Sequence, residues 1–322
     1  MGENDRLLAV GSAGVSALLQ AEVDTAKAFA LEQHAPATRR AYRADWRLFE
    51  VWCAARAIAP LPATPEIIAT FLGAQAASGS KASTLGRRTA AIRYAHALAK
   101  HESPTNAELV KATLRGIRRT LGVAPTQKAP ATAERLLMMV HGMPDTRKGL
   151  RDKALLLLGF AGAFRRSELV AINIEDIEHV EQGLRITLRR SKTDQEGHGQ
   201  ILPILRGDRS CPVAALVSWL SAAEITEGAI FRRISKGDRV LAGRLTAQSV
   251  ALVVKSQAQR VGYNPDEFVG HSLRAGFATS AVVKGASLFR VMEITRHKST
   301  DTLRGYVRRA EEFREHAAAG LL

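Results

Sequence analysis

Three short groups of ionisable side chains in the second half of the sequence suit chemistry at an anionic group. The first pairs Arg165 with Glu168, directly after an apolar run that extends from Ala154 to Phe164. A guanidinium can bind two oxygens of a phosphate at once, and a carboxylate three residues away shares its helical face. The pair predicts an oriented, phosphate-binding arginine, although an ordinary ion pair on a helix surface has the same spacing.

The other two groups combine histidine with arginine and with tyrosine. Gly270 interrupts the chain just before His271 and Arg274, whose spacing places them on one face at the start of a helix. That position favours anions, although a capping histidine beside a surface arginine would look the same. His297 is followed nine residues later by Tyr306, one of only four tyrosines. The alternative is that Tyr306 packs in the hydrophobic core, as a lone tyrosine more often does.

Together these groups supply the parts needed to break a phosphodiester without metal or water as the nucleophile. A tyrosine hydroxyl can attack phosphorus, and arginines can hold the oxygens on which charge builds in the transition state. An imidazole or an amine can transfer protons to and from the reacting oxygens. A covalent tyrosyl ester would store the bond, so that the broken strand can be rejoined.

Charge indicates the kind of partner. The chain carries a net charge of +15 and has a pI of about 10.4. The first 124 residues hold 16 Lys and Arg against 10 Asp and Glu, and the remainder hold 30 against 21. Both halves are therefore basic, which predicts nucleic acid as the partner before an acidic membrane surface. A basic but merely solvated surface is the alternative.

Composition narrows the protein class further. Two cysteines, Cys53 and Cys211, are too few for a disulfide framework or a cysteine zinc site, so no metal is expected. The N-terminus begins with acidic residues and lacks the basic segment of a signal peptide. The longest apolar run, from Ala154 to Phe164, is far shorter than the roughly 20 residues that span a bilayer. We therefore expect a cytoplasmic protein with no membrane partner.

Apolar periodicity divides the chain into two domains. Residues 1–21 are predicted to be a flexible arm, and residues 22–121 to be a helical domain whose first long helix is capped by Thr38. Two prolines and little periodicity make residues 122–132 a predicted linker. Residues 133–322 form the predicted second domain.

The second domain is predicted to be mostly helical with one small antiparallel sheet. Leu184, Ile186 and Leu188 alternate with polar residues as in a strand, and the segment from Ile201 to Leu205 is the predicted returning strand. The predicted helices that follow cover about 246–260, 271–284, 287–295, 300–307 and 308–318.

In their order and spacing, these groups resemble the signature of the tyrosine recombinases, the phage integrase family. That signature is Arg-x-x-Glu, a lysine in a β-hairpin, His-x-x-Arg, a second histidine, and a tyrosine nine residues later. The helical first domain is similar to the core-binding domain of Cre and Xer recombinases, so the resemblance covers roughly residues 25–310. Two departures stand out: Arg296 replaces the glycine that often precedes the second histidine, and Ala163-Phe164 replaces Gly-Leu.

The resemblance implies catalytic roles for seven residues: Arg165, Glu168, Lys192, His271, Arg274, His297 and Tyr306. In the family, the two arginines clamp the scissile phosphate and the lysine protonates the leaving 5′ oxygen. The first histidine assists proton transfer at the nucleophile, the second hydrogen-bonds the phosphate, and the glutamate supports the site. The tyrosine is the nucleophile. For Lys192, a solvated lysine on the hairpin is the ordinary alternative.

DNA contacts are predicted in both domains. Six basic residues at or near helix starts are the candidates in the first domain: Arg39, Arg40, Arg43, Lys81, Arg87 and Arg88. Three polar residues match the helix that lies in the major groove in Cre-like enzymes: Thr246, Gln248 and Ser249. A glutamine can read the edge of adenine. Solvated helix faces are the alternative for all nine.

The resemblance implies a C-shaped clamp around duplex DNA, built from an all-α SAM-like core-binding domain and a tyrosine recombinase catalytic domain. It implies strand exchange through a 3′-phosphotyrosine, without metal, ATP or any cofactor. It also implies a homotetramer acting on two DNA sites, assembled from free monomers. The segment at about 311–322 is the candidate for docking on a neighbour, although it has too few large apolar residues for its sequence to indicate docking. The chain is too short for an additional arm-binding domain, so a simple recombinase is expected.

Three other functions would use part of the same pattern. A type IB topoisomerase or a hairpin-telomere resolvase shares the chemistry and would differ in the topology of its product. A catalytically silent DNA-binding regulator would usually have lost one of the catalytic groups. A general RNA- or membrane-binding basic protein would show weak salt dependence or no preference for duplex DNA.

Overall fold

The structure, a computed structural model, describes residues 17–31, 33–123, 128–189, 199–297, 299–300 and 305. The chain forms two compact units, Met1–Thr126 and Gln127–Leu322. Within the described ranges, no helix combines the length and the apolar character needed to cross a membrane.

The first unit is entirely helical in its described part. Its helices are α1 (Ala17–Leu31), α2 (Pro36–Ala54), α3 (Pro65–Ala77), α4 (Ala82–Leu98) and α5 (Glu108–Leu121). Helix α2 packs on α4, and α3 packs on α5. Their shared core contains Phe49, Ile68, Phe71, Leu85 and Ile92, none of which retains exposed surface.

Two predicted boundaries in this unit differ from the structure. Helix α2 begins at Pro36 after Ala35, so the prediction that Thr38 caps it was wrong. Proline suits the first turn because its fixed φ is already helical and its missing N–H would have no partner there. Helix α1 begins at Ala17, inside the predicted arm, whose first 16 residues lie outside the described ranges.

The second unit surrounds one buried helix with other helices and two small sheets. Its helices are α6 (Ala133–Val140), α7 (Arg147–Ala161), α8 (Arg166–Ala171), α9 (Pro212–Ala222), α10 (Ala247–Arg260), α11 (Ser272–Val283) and α12 (Leu288–Thr295). Its strands are β1 (Ile177–Val180), β2 (Gly183–Leu188), β3 (Gln200–Leu205), β4 (Arg232–Ile234) and β5 (Val240–Arg244).

The strands form two antiparallel sheets, β1-β2-β3 and β4-β5. Leu184 faces Ile204 and Ile186 faces Leu202 across the β2–β3 pair, and all four side chains are buried. The alternation predicted in β2 and the returning strand predicted at β3 are thus confirmed, as is the mainly helical class. Strands β1, β4 and β5 and helices α6 and α9 were not predicted.

Helix α7 is the centre of this unit. Residues 154–159 are buried throughout, as the all-apolar run predicted, and α7 packs against α6, α8, α9 and α11. A Cβ on Gly159 would lie 2.9 Å from Leu273 and 3.0 Å from Leu169, so this glycine allows α8 and α11 to approach closely. The C-terminal end of α7 is thereby fixed beside both helices.

The chain that enters the second unit is held on α11. Ala129 N donates to Glu267 O, and Ala131 N donates to Ser272 O. A Cβ on Gly276 would lie only 1.8 Å from the Ala131 carbonyl oxygen. The second half of the predicted linker therefore packs closely against the helix that carries Arg274.

Candidate active site

The loop between α7 and α8 is the scaffold of the site. Gly162 ends α7, Ala163 takes a left-handed φ of 44°, and Phe164 is buried in the core. A Cβ on Gly162 would collide with the Phe164 ring at 2.2 Å, so the turn requires a glycine. The buried Phe164 side chain fixes the position from which Arg165 emerges.

Arg165 is held by Glu168. Glu168 is 3% exposed, and its Oε1 accepts from Arg165 Nη1 at 2.6 Å while its Oε2 accepts from the Arg165 backbone N–H at 2.9 Å. The second bond also caps the start of α8. Burial of the carboxylate excludes the alternative of an ordinary ion pair on a helix surface.

Arg274 reaches the same loop from α11. Its side chain is 1% exposed, and Nη1 donates to the Ala163 carbonyl oxygen at 2.9 Å, across 111 positions of sequence. His271 is the exposed residue immediately before α11. The two sequence-predicted arginines are therefore brought together by the α7–α8 loop, with His271 one turn away from Arg274.

His297 follows the end of α12, and its hydrogen bonds define its tautomer. The Thr295 hydroxyl donates to Val291 O at 2.6 Å, so its oxygen accepts from His297 Nδ1 at 2.8 Å. Burial is the largest of several causes that together lower the pKa of His297 to about 4; the charges of Arg274, Arg165, His271 and Arg296 follow in that order. The ring is therefore neutral at pH 7, with Nε2 as its unprotonated nitrogen.

The structure thus gathers five of the seven sequence-predicted catalytic residues around one loop: Arg165, Glu168, His271, Arg274 and His297. Two guanidiniums, with two imidazoles beside them, make a positive region with one buried carboxylate behind it. Such a region can bind an anion and can stabilise charge that develops on phosphate oxygens. The remaining two residues, Lys192 and Tyr306, lie outside the described residues.

The predicted DNA-contact residues of the first unit differ in their surroundings. Arg40, Arg43 and Lys81 are exposed, and Arg39 is half-buried. Arg87 makes two hydrogen bonds to the buried Asp45 carboxylate, at 2.6 and 3.1 Å, and remains half exposed. Arg88 is largely buried and donates to Gln75 Oε1 at 2.6 Å and Ser80 Oγ at 2.9 Å, so its guanidinium joins α3 and α4.

The three polar candidates of the second unit lie at the start of α10. Thr246 caps the helix by accepting from Ser249 N, and Gln248 is exposed. Gln248 Oε1 accepts a long bond of 3.4 Å from Nη1 of Arg166, the neighbour of Arg165. The start of α10 therefore lies next to α8, the helix that begins directly after Arg165.

Sequence reasoning missed the contribution of Arg296. This side chain is buried and donates to Glu168 Oε2 at 2.8 Å and to Ala163 O at 3.1 Å. Because Arg296 lies in a run of polar residues, its sequence context is typical of an arginine on the protein surface. The one available signal was its position, where the family pattern often has glycine.

Comparisons with known proteins agree with this geometry. The profile of the phage integrase family matches residues 129–312, and the profile of the phage integrase N-terminal SAM-like domain matches residues 29–103. An integrase/recombinase XerD homolog from Selenomonas ruminantium is 39% identical over 286 residues, covering 87% of this chain and 84% of that protein. A tyrosine recombinase from Synechococcus elongatus is 30% identical over 312 residues, covering 89% and 91%.

Solved structures share the fold. The integrase of transposon Tn1549, in complex with transposon right end DNA, aligns with a TM-score of 0.62 at 12% identity over 90% of this chain and 97% of that one. A lambda integrase dimer bound to a COC′ core site aligns with a TM-score of 0.59 at 18% identity, over 95% and 84%. The chain therefore belongs to the phage integrase family and is a tyrosine-type site-specific DNA recombinase.

Proposed function

We propose that this recombinase cleaves duplex DNA by attack of the Tyr306 hydroxyl on a phosphate held by Arg165, Arg274 and His297. The assignment depends on the observation that groups in and beside the α7–α8 loop hold both arginines in place. Arg165 is fixed by Glu168, and Arg274 is fixed by the Ala163 carbonyl, within one short loop. Pre-positioned guanidiniums stabilise developing phosphate charge without having to reorganise during the reaction.

The proposed step is balanced without a metal or ATP. A bond forms between the Tyr306 oxygen and phosphorus while the bond from phosphorus to the 5′ oxygen breaks. The products are a 3′-phosphotyrosine and a free 5′ hydroxyl. One phosphodiester has replaced another, so the 5′ hydroxyl of a partner strand can reverse the step and join the strands in a new arrangement.

Two proton transfers accompany this exchange. His271 is proposed to assist removal of the proton from the tyrosine hydroxyl, and Lys192 to deliver a proton to the leaving 5′ oxygen. Glu168 has no proposed contact with DNA. Its buried carboxylate keeps Arg165 in place and offsets part of the positive charge of the site.

The DNA surface is proposed to include residues from both units. Arg39, Arg40, Arg43, Lys81 and Arg87 would contact phosphates, which position the duplex without reading its sequence. The exposed Gln248, beside Thr246 and Ser249 at the start of α10, would reach base edges. The bonds of Arg88 to Gln75 and Ser80 favour a supporting role for this residue behind that surface.

The proposed assembly is a homotetramer on two DNA sites, formed from free monomers, with residues 311–322 of each protomer docked on a neighbour. Light scattering of the protein alone and with duplex target should show a monomer and then four protomers per two duplexes. Truncation after residue 310 should prevent the four-protomer complex and leave binding to a single duplex intact. A tetramer that survives this truncation would contradict the docking.

A suicide substrate tests the chemistry. Nicked duplexes from the segments that flank the gene are incubated without added metal with the wild-type protein, Tyr306→Phe and the control Tyr263→Phe. The wild type and the control should form a covalent adduct that mass spectrometry maps to Tyr306, and Tyr306→Phe should form none. An adduct on another residue would overturn the mechanism.

Product analysis then separates the recombinase from enzymes that share its chemistry. Two duplexes carrying the mapped site should yield recombinant strands. Relaxed circles without recombinants would indicate a topoisomerase, and closed hairpin ends would indicate a resolvase. Tight, salt-sensitive binding of one of the flanking duplexes without any adduct would instead indicate a DNA-binding regulator.

A further inference from the structure

Arg296 occupies a backbone conformation that rarely holds a side chain. Its φ of 56° and ψ of 41° are left-handed, a region that strains an L residue and that glycine adopts freely. The residue is nevertheless an arginine, 93% buried, directly before His297. Contacts of the side chain must therefore offset both the backbone strain and the desolvation of a charge.

The guanidinium of Arg296 joins three segments of the second unit. Nη1 donates to Ile294 O at 2.8 Å, at the end of α12, and to Gly162 O at 3.1 Å, at the end of α7. Nη2 donates to Ala163 O at 3.1 Å and to Glu168 Oε2 at 2.8 Å. The guanidinium carbon also lies 5.6 Å from the centre of the Phe164 ring.

Two of these acceptors also hold the predicted phosphate-binding arginines. Glu168 uses its other oxygen, Oε1, for Arg165, and the Ala163 carbonyl also accepts from Arg274 Nη1 at 2.9 Å. Each acceptor is thus shared by Arg296 and one catalytic arginine. A shift of Arg296 would release the end of α12 and at the same time change the partners of Arg165 and Arg274.

We propose that Arg296 is a positioning residue of the strand-cleavage step, which fixes His297 against the loop that carries Arg165. It does so through Glu168 and the Ala163 carbonyl, so the proposed phosphate-binding groups are held by one network. This inference rests on the proposed function of Tyr306 and His297. A residue that merely stabilises the fold would leave the rate per folded molecule unchanged.

Three variants separate the positioning role of Arg296 from the effect of its charge and from its contribution to stability. Arg296→Gly removes the guanidinium and relieves the left-handed backbone, so the unit should fold. Arg296→Lys keeps the charge but cannot bridge four acceptors in a planar arrangement. Arg151→Met is the matched control, because Arg151 is a buried guanidinium bonded to Asp152, 11 residues or about 16 Å along α7 from Gly162.

The first readout is the single-turnover rate of adduct formation on the mapped nicked duplex at saturating protein, with the dissociation constant measured separately. Arg296→Gly and Arg296→Lys should each lower the rate at least tenfold and leave the dissociation constant within about threefold. Arg151→Met should change neither by more than about threefold. A wild-type rate in Arg296→Gly, or an equal loss in the control, would overturn the proposal.

The second readout needs neither DNA nor activity. The imidazole of His297 is followed by NMR in the full chain labelled at histidine, and its signal is assigned with His297→Gln. Its pKa should rise by at least one unit from the wild-type value of about 4 in both Arg296 variants, because the ring leaves its fixed place beside Arg274 and Arg165. A rise in the glycine variant alone would show an effect of charge and would overturn positioning.

The two measurements distinguish a failure of the proposed function from a failure of the positioning role of Arg296. If the wild-type protein forms no adduct with any duplex, the proposed function fails, and the NMR titration still decides the role of Arg296. If adducts form and the titration is unaltered in both variants, the function stands and the positioning role fails.

Discussion

At the scale of single residues, the tautomer of His297 determines what the site can offer to a phosphate. The Nδ1–H is bonded to Thr295, so the neutral ring presents Nε2 as an acceptor, and only the imidazolium can donate from it. A bound phosphate would stabilise that imidazolium. The proposed contact with phosphate therefore predicts that DNA binding is coupled to proton uptake at pH values between about 4 and the raised pKa of the complex.

The same pKa predicts how the stability of the free protein varies with pH. His297 has a folded-state pKa of about 4 against an ordinary value of 6.5, so the unfolded chain binds the proton more tightly. Its contribution to stability is complete above pH 6.5 and is lost as the pH falls toward 4. Between pH 7 and 4.5, the wild-type protein should lose up to about 2 kcal/mol more unfolding free energy than His297→Gln, after allowing for partial exposure.

Urea unfolding of both proteins at the two pH values measures this difference. The comparison removes the contributions of every other titrating group, since these are common to the two chains. Equal losses in the two proteins would contradict a depressed His297 pKa.

Glu168 is the residue whose loss should most disturb the site. Its carboxylate is buried between the guanidiniums of Arg165 and Arg296, and Glu168→Gln would leave both cations facing a neutral amide. Breaking a buried ion pair costs about 3–5 kcal/mol. Urea unfolding should show a loss in this range, and a loss below about 1 kcal/mol would contradict the network.

The control for this substitution is Glu293→Gln on α12. Glu293 also pairs with an arginine, Arg290, at three residues' spacing, but both side chains are exposed. An exposed pair contributes little, so the control should change the unfolding free energy by no more than about 0.5 kcal/mol.

The types and order of residues in the sequence predicted the ionisable side chains of the site. Their hydrogen-bond partners could be identified only from the folded structure. The sequence places Glu168 three residues after Arg165, and that contact is local. The partner of Arg274 is a backbone carbonyl 111 residues away, which carries no signature in the sequence. Arg296 escaped prediction for the same reason, because all but one of its acceptors lie more than 120 residues earlier.

At the scale of elements, periodicity predicted helices and strands with a clear apolar run or alternation, but it missed the 11-residue helix α9. Strand β2 alternates buried and exposed residues, and α7 has a continuous apolar run. Strand β4 has only three residues, two of them arginines. Two of the four residues of β1 are polar, and exposure does not alternate from one residue to the next along this strand. A two-residue period cannot be recognised in segments so short or so polar.

The contact of α11 with the entering chain gives a prediction at this scale. A methyl group on Gly276 would lie 1.8 Å from the Ala131 carbonyl oxygen, which is backbone and cannot rotate away. Gly276→Ala should therefore separate α11 from residues 129–132 and cost at least about 2 kcal/mol. Amide hydrogen exchange should accelerate at Ala131, whose N–H donates to Ser272 O.

The matched control is Gly86→Ala in α4. A Cβ there would meet nothing within 4 Å, so alanine should stabilise the first unit by about 0.4–1 kcal/mol through helix propensity and a less flexible unfolded chain. Opposite signs for the two substitutions are expected in thermal unfolding. A neutral Gly276→Ala would show that the entering chain is loosely held.

At the scale of the whole molecule, the net charge of +15 determines the approach to DNA more than any single contact. Each phosphate neutralised by a lysine or arginine releases condensed counterions, so affinity falls as salt rises. Both units are basic, and a duplex that contacts both should show a steep dependence. The logarithm of the dissociation constant should rise linearly with the logarithm of salt concentration between 50 and 200 mM.

Substitutions then separate phosphate contacts from base contacts by their effect on that slope. Lys81→Gln, at the exposed start of α4, should weaken binding to every duplex similarly and reduce the slope by about 1. Gln248→Ala should leave the slope unchanged and weaken binding to the mapped site relative to scrambled DNA, since a base contact contributes about 1–3 kcal/mol of discrimination.

Lys255→Gln, whose lysine is paired with Asp266, serves as the control and should alter neither quantity. Fluorescence anisotropy on the two duplexes over the salt series measures both effects. A reduced slope for Gln248→Ala, or sequence-dependent weakening for Lys81→Gln, would reverse the roles proposed for these two helix starts.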